Sequence, residues 1–219
     1  MLYYVIYSKS LEVFMTNRKL IGWILLITAP LSVFCWFMTP ISDTDQADTM
    51  ALVMAGATDP DGLKIWTLIA MVLTIFYVTG FTRWAKHLES EFLGPLASVG
   101  RLHMKVGVAV ALGEAIMMGV AAKTAAAGAP FMAAAVSHWN ASIGFGSAGF
   151  GIMFLGTAVI SLIALMQNVG NKIILGGLAI VCLVGVYGCA FDYSSDIMIV
   201  PYLGSALLLA AHGATLLRD

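Results

Sequence analysis

The sequence predicts an all-α, polytopic membrane protein: a bundle of six transmembrane helices forming one domain over residues 1–219. Two observations carry that prediction, and a third orients it. Hydrophobic residues make up 60% of the chain and charged residues 11%, with a mean hydropathy of +0.93. A soluble protein is about a quarter charged. Six apolar stretches also have the roughly 20 residues needed to carry a helix across about 30 Å of hydrocarbon. Finally, nine of the eleven Lys and Arg residues fall on one side of the resulting six-span topology.

The spans run approximately Leu20 to Met38, Ile65 to Trp84, Val106 to Ala122, Ser147 to Met166, Ile173 to Phe191 and Ile197 to Leu217. With the first amino end in the cytoplasm, Lys9, Arg18, Lys19, Arg83, Lys86, Arg101, Lys105, Lys172 and Arg218 lie inside, and Lys64 and Lys123 outside. Both termini are therefore expected in the cytoplasm of a bacterial-type inner membrane. Asp43, Asp45, Asp48, Asp59, Asp61, Asp192 and Asp196 gather outside. Acidic residues contribute little to orientation, so they describe the field of the outer surface and add no second proof of topology. A net charge of −1 gives no case for nucleic-acid binding. Lipid is the expected surrounding.

Residues 1–18 lead into the first span. Tyr3, Ile6, Tyr7, Leu11 and Phe14 recur at helical spacing opposite Ser8, Lys9 and Glu12, the pattern of a cytoplasmic interfacial helix. The apolar run that follows exceeds a signal-peptide core and has no small-residue cleavage site, so it is expected to remain as a span. Trp23 and Trp84 fall near the inner interface, and Trp36, Trp66 and Trp139 near the outer one, where an indole keeps its ring in lipid and its N–H in water.

Residues 39–63 form the longest polar connection, an extracytoplasmic acidic loop with room for one short helix around Ala47 to Ala55. Its aspartates lack the spacing and terminal Glu of a calcium-binding hand, so a solvated loop is expected. On the inside, Ala85 to Gly100 reads as an interfacial helix followed by a turn at Gly94-Pro95.

Small residues mark helix faces that can approach closely. Gly107 and Ala111 do so in the third span, Cys182, Gly185 and Cys189 in the fifth, and Ala206, Ala210 and Ala214 in the sixth. Bundle packing is the default meaning of such stripes, and self-association or membership of a larger membrane complex extends it. Cys35, Cys182 and Cys189 lack any paired spacing and read as reduced, packed thiols.

Glu114 is the one carboxylate deep in a span. It lies eleven residues beyond His103, and a helix rises about 1.5 Å per residue. A charge there is expensive, so a neutral acid able to exchange a proton or cation with a cavity is one reading, and interhelical glue is the other. Thr74 and Tyr77 on the second span and Thr157 and Ser161 on the fourth are its expected partners. The leading function is accordingly a small transporter or permeation protein for an ion or small solute. A non-catalytic accessory subunit stands as the alternative.

Histidines supply a third reading. His87, His103 and His212 converge on the cytoplasmic side, and His103 with His212 could ligate a haem from two helices. Glu89 and Glu91 beside His87 would add oxygen ligands for a metal. No cofactor is predicted beyond that haem alternative. Walker, serine-elbow and HExxH motifs are absent, and no Lys sits at mid-span.

Gly144 to Gly149 matches the GxGxxG pattern but follows no strand, which makes the match accidental. The overlapping run Ser142, Ile143, Gly144, Phe145 and Gly146 resembles the selectivity filter of potassium channels, TVGYG or TIGFG. The resemblance covers five of the 219 residues, with Ser142 in place of the usual Thr. It implies a re-entrant pore helix through Ala129 to Ala141, filter carbonyls turned inward, and several chains around one axis.

Overall fold

The computed structural model describes the backbone of residues 2–90 and 92–218, and side chains within those ranges from residue 17 onward. The interfacial side-chain pattern expected at Tyr3 to Phe14, and Glu91, lie outside the described side chains. Among the described residues seven α-helices follow in order: α1 (Leu2–Phe37), α2 (Thr49–Thr58), α3 (Pro60–Trp84), α4 (Gly94–Ala126), α5 (Met132–Met166), α6 (Lys172–Phe191) and α7 (Ile199–Arg218). All but α2 contain a stretch long and apolar enough to cross a membrane. The all-α, six-helix, multi-pass architecture expected from hydropathy is the architecture present.

The helix starts are chemically specified. Asp48 caps α2 by accepting from the Ala51 N–H at 3.0 Å, and Asp59 caps α3 by accepting from the Gly62 N–H at 2.9 Å. Asn171 receives the N–H groups of Ile173 (3.0 Å) and Ile174 (3.2 Å) to start α6. The tight turn before it uses Asn168 at φ 56° and Gly170 at φ 79°, backbone that only Gly and Asn adopt readily.

Three sequence expectations need correction. The Gly94-Pro95 pair does not make a turn. Proline lacks an N–H and fits the first turn of a helix, and here it opens α4 twelve residues before the expected start at Val106. Arg101, His103 and Lys105 therefore ride on that helix, and Arg101 reaches back to pair with Glu89 of the preceding 3₁₀ segment, Ala85–Ser90. At 33 residues, α4 is about 50 Å long and overshoots the hydrocarbon.

Second, the filter-like run is not a filter. Ser142 to Gly146 lies inside continuous α5, and so does the expected re-entrant pore helix from Met132 onward, its first three residues Ala129–Phe131 forming a 3₁₀ turn. A helix commits its carbonyls to N–H groups four residues on, leaving none to replace an ion's water. Third, Trp84 and Trp139 are 4% and 2% exposed, packed inside the protein and not at a lipid interface. Trp23, 54% exposed, keeps the lipid-facing position.

Other glycines along α4 and α5 have a packing role. Side chains built at Gly107 or Gly149 would overlap the backbone of the facing helix, at Met153 and Gly149 in one case and at Ala111 in the other. Gly156 meets Gly100 and Met104 in the same way. These contacts run in opposite directions along α4 and α5, so the two helices form an antiparallel seam of backbone against backbone. Without a hydrophobic drive between helices in lipid, such close approach supplies the dispersion contacts that hold a bundle together. Gly22 and Gly213 do the same where α1 crosses α7.

The acidic loop divides by residue type. Asp43, Asp45, Asp48, Asp59 and Asp61 are exposed, as a solvated loop requires. Ile41, Leu52 and Val53 turn inward and pack with Leu63, Met118 and Trp139 in a second apolar core. The short helix expected near Ala47 to Ala55 is α2, shifted a few residues by its Asp48 cap. It lies across the ends of α4 and α5 and closes the bundle there. This loop end is opposite the terminal end, where Arg18, Asn171 and Arg218 meet around one cavity.

Candidate functional site

Glu114 occupies the α4–α5 seam seven residues beyond Gly107, where the glycine pattern breaks. A long side chain fits there because the facing residue is Gly146. A Cβ at 146 would strike both Glu114 Oε1 and the Tyr193 hydroxyl. Gly146 thus has a definite structural use, providing the socket for the carboxyl group.

The carboxyl is held from the other side by the connection between α6 and α7. Tyr193 donates its hydroxyl hydrogen to Glu114 Oε1 at 2.9 Å, and the Tyr193 and Tyr202 hydroxyls lie 2.8 Å apart. With the Tyr193 hydrogen on Glu114, the second bond runs from Tyr202 to Tyr193, giving a relay that ends at the carboxyl. The Tyr202 ring stands edge-on to Phe150, with centroids 5.0 Å apart, which fixes its direction. Beside it, Ser147 donates to the Cys189 carbonyl at 2.8 Å and ties α5 to α6.

Glu114 is 6% exposed, and its Oε2 is buried with no hydrogen-bond partner among the described residues. The group lines a cavity of about 270 Å³ at the loop end, bounded by Trp36 and Phe37 from α1, Gln46 from the acidic loop, Trp139 and Ser142 from α5, and Tyr193 and Asp196. With no cation among the lining residues, the carboxyl is less costly as the neutral acid than as an anion.

The four partners expected for Glu114 do not bond to it. Thr74 and Thr157 donate to their own helices, at the carbonyls of Ala70 and Met153, each at 2.9 Å. Tyr77 points its hydroxyl at the Met153 sulfur, 4.0 Å away, and the Ser161 hydroxyl is buried without a partner. Tyr193 and Tyr202 take the role instead. Hydropathy hides them, because one sits in a short polar connection and the other in the first turn of α7.

At the terminal end a cavity of about 510 Å³ is lined by Arg18, Trp84, His87, Asn171, His212, Thr215 and Arg218, among others. His212 is fully buried, and neither ring nitrogen has a hydrogen-bond partner among the described residues. Aromatic rings contain it, with Trp84 edge-on at 4.3 Å and Phe81 at 5.9 Å between centroids. His87 shares that cavity and His103 does not. The His103 ring nitrogen Nδ1 instead lies 2.8 Å from the Val99 carbonyl. Among the described residues no three His, Cys, Asp or Glu side chains group as metal ligands. Cys35, Cys182 and Cys189 are buried free thiols.

Comparison with known protein families, with curated proteins and with solved structures finds no match to this chain.

Proposed function

We propose that this multi-pass membrane protein is a small transporter or permeation protein for an ion or small solute, with Glu114 as its proton- or cation-exchanging group. The observation that carries the reading is the half-satisfied carboxyl on a cavity-lining residue: Oε1 is held by Tyr193, and Oε2 is buried without a hydrogen-bond partner among the described residues. Glue between helices would use both oxygens. A charged carboxylate at mid-span is unfavourable by roughly 2.5–3.5 kcal/mol on an insertion scale, and an unused acceptor adds to that cost.

The cavity gives Glu114 access from the loop end. On the far side, the residue order along α3 and α5 puts Thr74, Tyr77, Thr157 and Ser161 between Glu114 and the terminal end, a series of hydroxyls through an otherwise apolar interior. In the proposed cycle Glu114 loads from the loop end, and opening of the glycine seam lets those hydroxyls bring water to it from below. Because the seam is backbone against backbone, a small sliding of α4 on α5 changes it most.

Flux through purified protein tests the proposal. In proteoliposomes carrying a pH-sensitive dye, the wild type dissipates an imposed proton gradient, whereas Glu114→Gln inserts normally and does not. Wild-type flux in a well-folded Gln variant would remove Glu114 from the mechanism and favour an accessory subunit of a larger complex. The proposed orientation puts both termini in the cytoplasm. Cysteines introduced at Asp45 or Asp192 then react with an impermeant thiol reagent from outside, and those at Lys86 or Lys172 do not; the opposite pattern reverses it.

A further inference from the structure

The loop-end cavity has a definite chemical bias. Its lining contains two carboxyl groups, Glu114 and Asp196, and no Lys, Arg or His. Anions are therefore disfavoured on charge alone. The remaining wall is mostly apolar and aromatic, with the rings of Trp36, Phe37, Trp139, Tyr193 and Tyr202 among its lining. A hard inorganic cation needs some six oxygen ligands. Besides the two carboxyl groups, the lining supplies only the neutral side-chain oxygens of Thr39, Ser42, Gln46, Ser142, Ser194 and Ser195 and the two tyrosine hydroxyls in a mostly apolar wall.

We propose that the loop-end cavity binds a small organic cation, a quaternary or protonated amine with a compact apolar body, whose charge sits at Glu114 and whose alkyl groups lie against the tryptophan and tyrosine rings. The proposal rests on Glu114 being the exchanging group and adds the class of solute. A methylated ammonium is more weakly hydrated than a small inorganic cation and gains from aromatic faces, which carry negative quadrupole density. A volume of about 270 Å³ is at the small end for ligand pockets and admits an ion of on the order of ten non-hydrogen atoms.

Binding and protonation then exclude each other at one carboxyl. As the cation enters, the Glu114 proton leaves to water at the cavity mouth, and the ion pair replaces the neutral acid. Tyr193 can stay bonded to Oε1 throughout, and the cation pairs with Oε2 after a side-chain movement that uncovers this buried oxygen. The other titratable groups facing this point are Tyr202, Cys189 and Asp196. Asp196 is exposed at the rim and serves to draw cations toward the mouth.

Choline and its uncharged carbon analogue, 3,3-dimethylbutan-1-ol, test the inference on the intact protein in detergent, read by tryptophan fluorescence and calorimetry. Choline is expected to bind at least about tenfold more tightly than the alcohol, and Glu114→Gln to lose most of that difference. Equal binding of the two by wild-type protein overturns the inference without any variant. So does sodium chloride that displaces choline at equal concentration, which would mark an inorganic-cation site. Choline selectivity without any Glu114-dependent proton flux would keep the binding site and sink the transport reading. Glu114-dependent flux with no choline preference would do the reverse.

Discussion

Glu114 and His212 are both buried titratable groups inside a membrane-spanning bundle, yet they are held in opposite ways. Glu114 sits in a socket cut by Gly146, lines the loop-end cavity, has one oxygen bonded through Tyr193 to Tyr202, and leaves the other buried without a partner among the described residues. His212 has neither nitrogen bonded among the described residues, stands edge-on to Trp84 and Phe81, and lines the terminal-end cavity. In the proposed function the first is a group whose protonation state changes. The second is a neutral ring packed among aromatic rings, because an unbonded neutral ring costs less than an unbonded charge. Burial alone therefore says little about function, and the hydrogen-bond frame around the group says more.

The largest expected effect comes from the frame that separates the two groups. Gly149→Val forces α4 off α5, since even a methyl there overlaps the Ala111 backbone. Overpacking of this kind destabilises by about 1–3 kcal/mol, so the variant should unfold at lower denaturant or temperature and lose Glu114-dependent flux. A variant as stable and active as wild type would mean that the seam is not tight.

A smaller effect separates the two sites directly. His212→Leu should leave stability within about 1 kcal/mol of wild type, or raise it, because it replaces two unsatisfied nitrogens with apolar surface beside Trp84. Glu114→Leu should instead lose about 1–2 kcal/mol, because it strips Tyr193 of its buried acceptor. Thermal denaturation of the two variants side by side checks this. Equal losses would show that His212 has a polar partner of its own and that the contrast is false.

Much of the molecule was legible without coordinates. Hydropathy found all six crossing segments, and the cost of a mid-span carboxylate singled out Glu114. Its surroundings were not legible, for specific reasons. Arg101 and Lys105 lowered the hydropathy of the first turns of α4, while Pro95, which reads as a breaker, in fact opens that helix. Gly146 resembled part of an ion filter because backbone exposure is useful both to a filter and to helix packing, and only the continuous helix separates the two uses. Tyr193 belongs to a connection without periodicity, so nothing in residue spacing points it at a glutamate 79 positions earlier. Long-range pairing of this kind is set by how the turn between α6 and α7 folds back over the bundle.

The central claim is that Glu114 is a protonated carboxyl in exchange with the loop-end cavity, and infrared difference spectroscopy of reconstituted protein transferred from H₂O to D₂O addresses it most directly. A protonated-carboxyl stretching band should be present in the wild type, shift within the dead time of the transfer, and be missing in Glu114→Gln. A band that stays unshifted for hours would mean a sealed interhelical bond, and no Glu114-dependent band at neutral pH would mean a paired carboxylate. Either result would contradict the account.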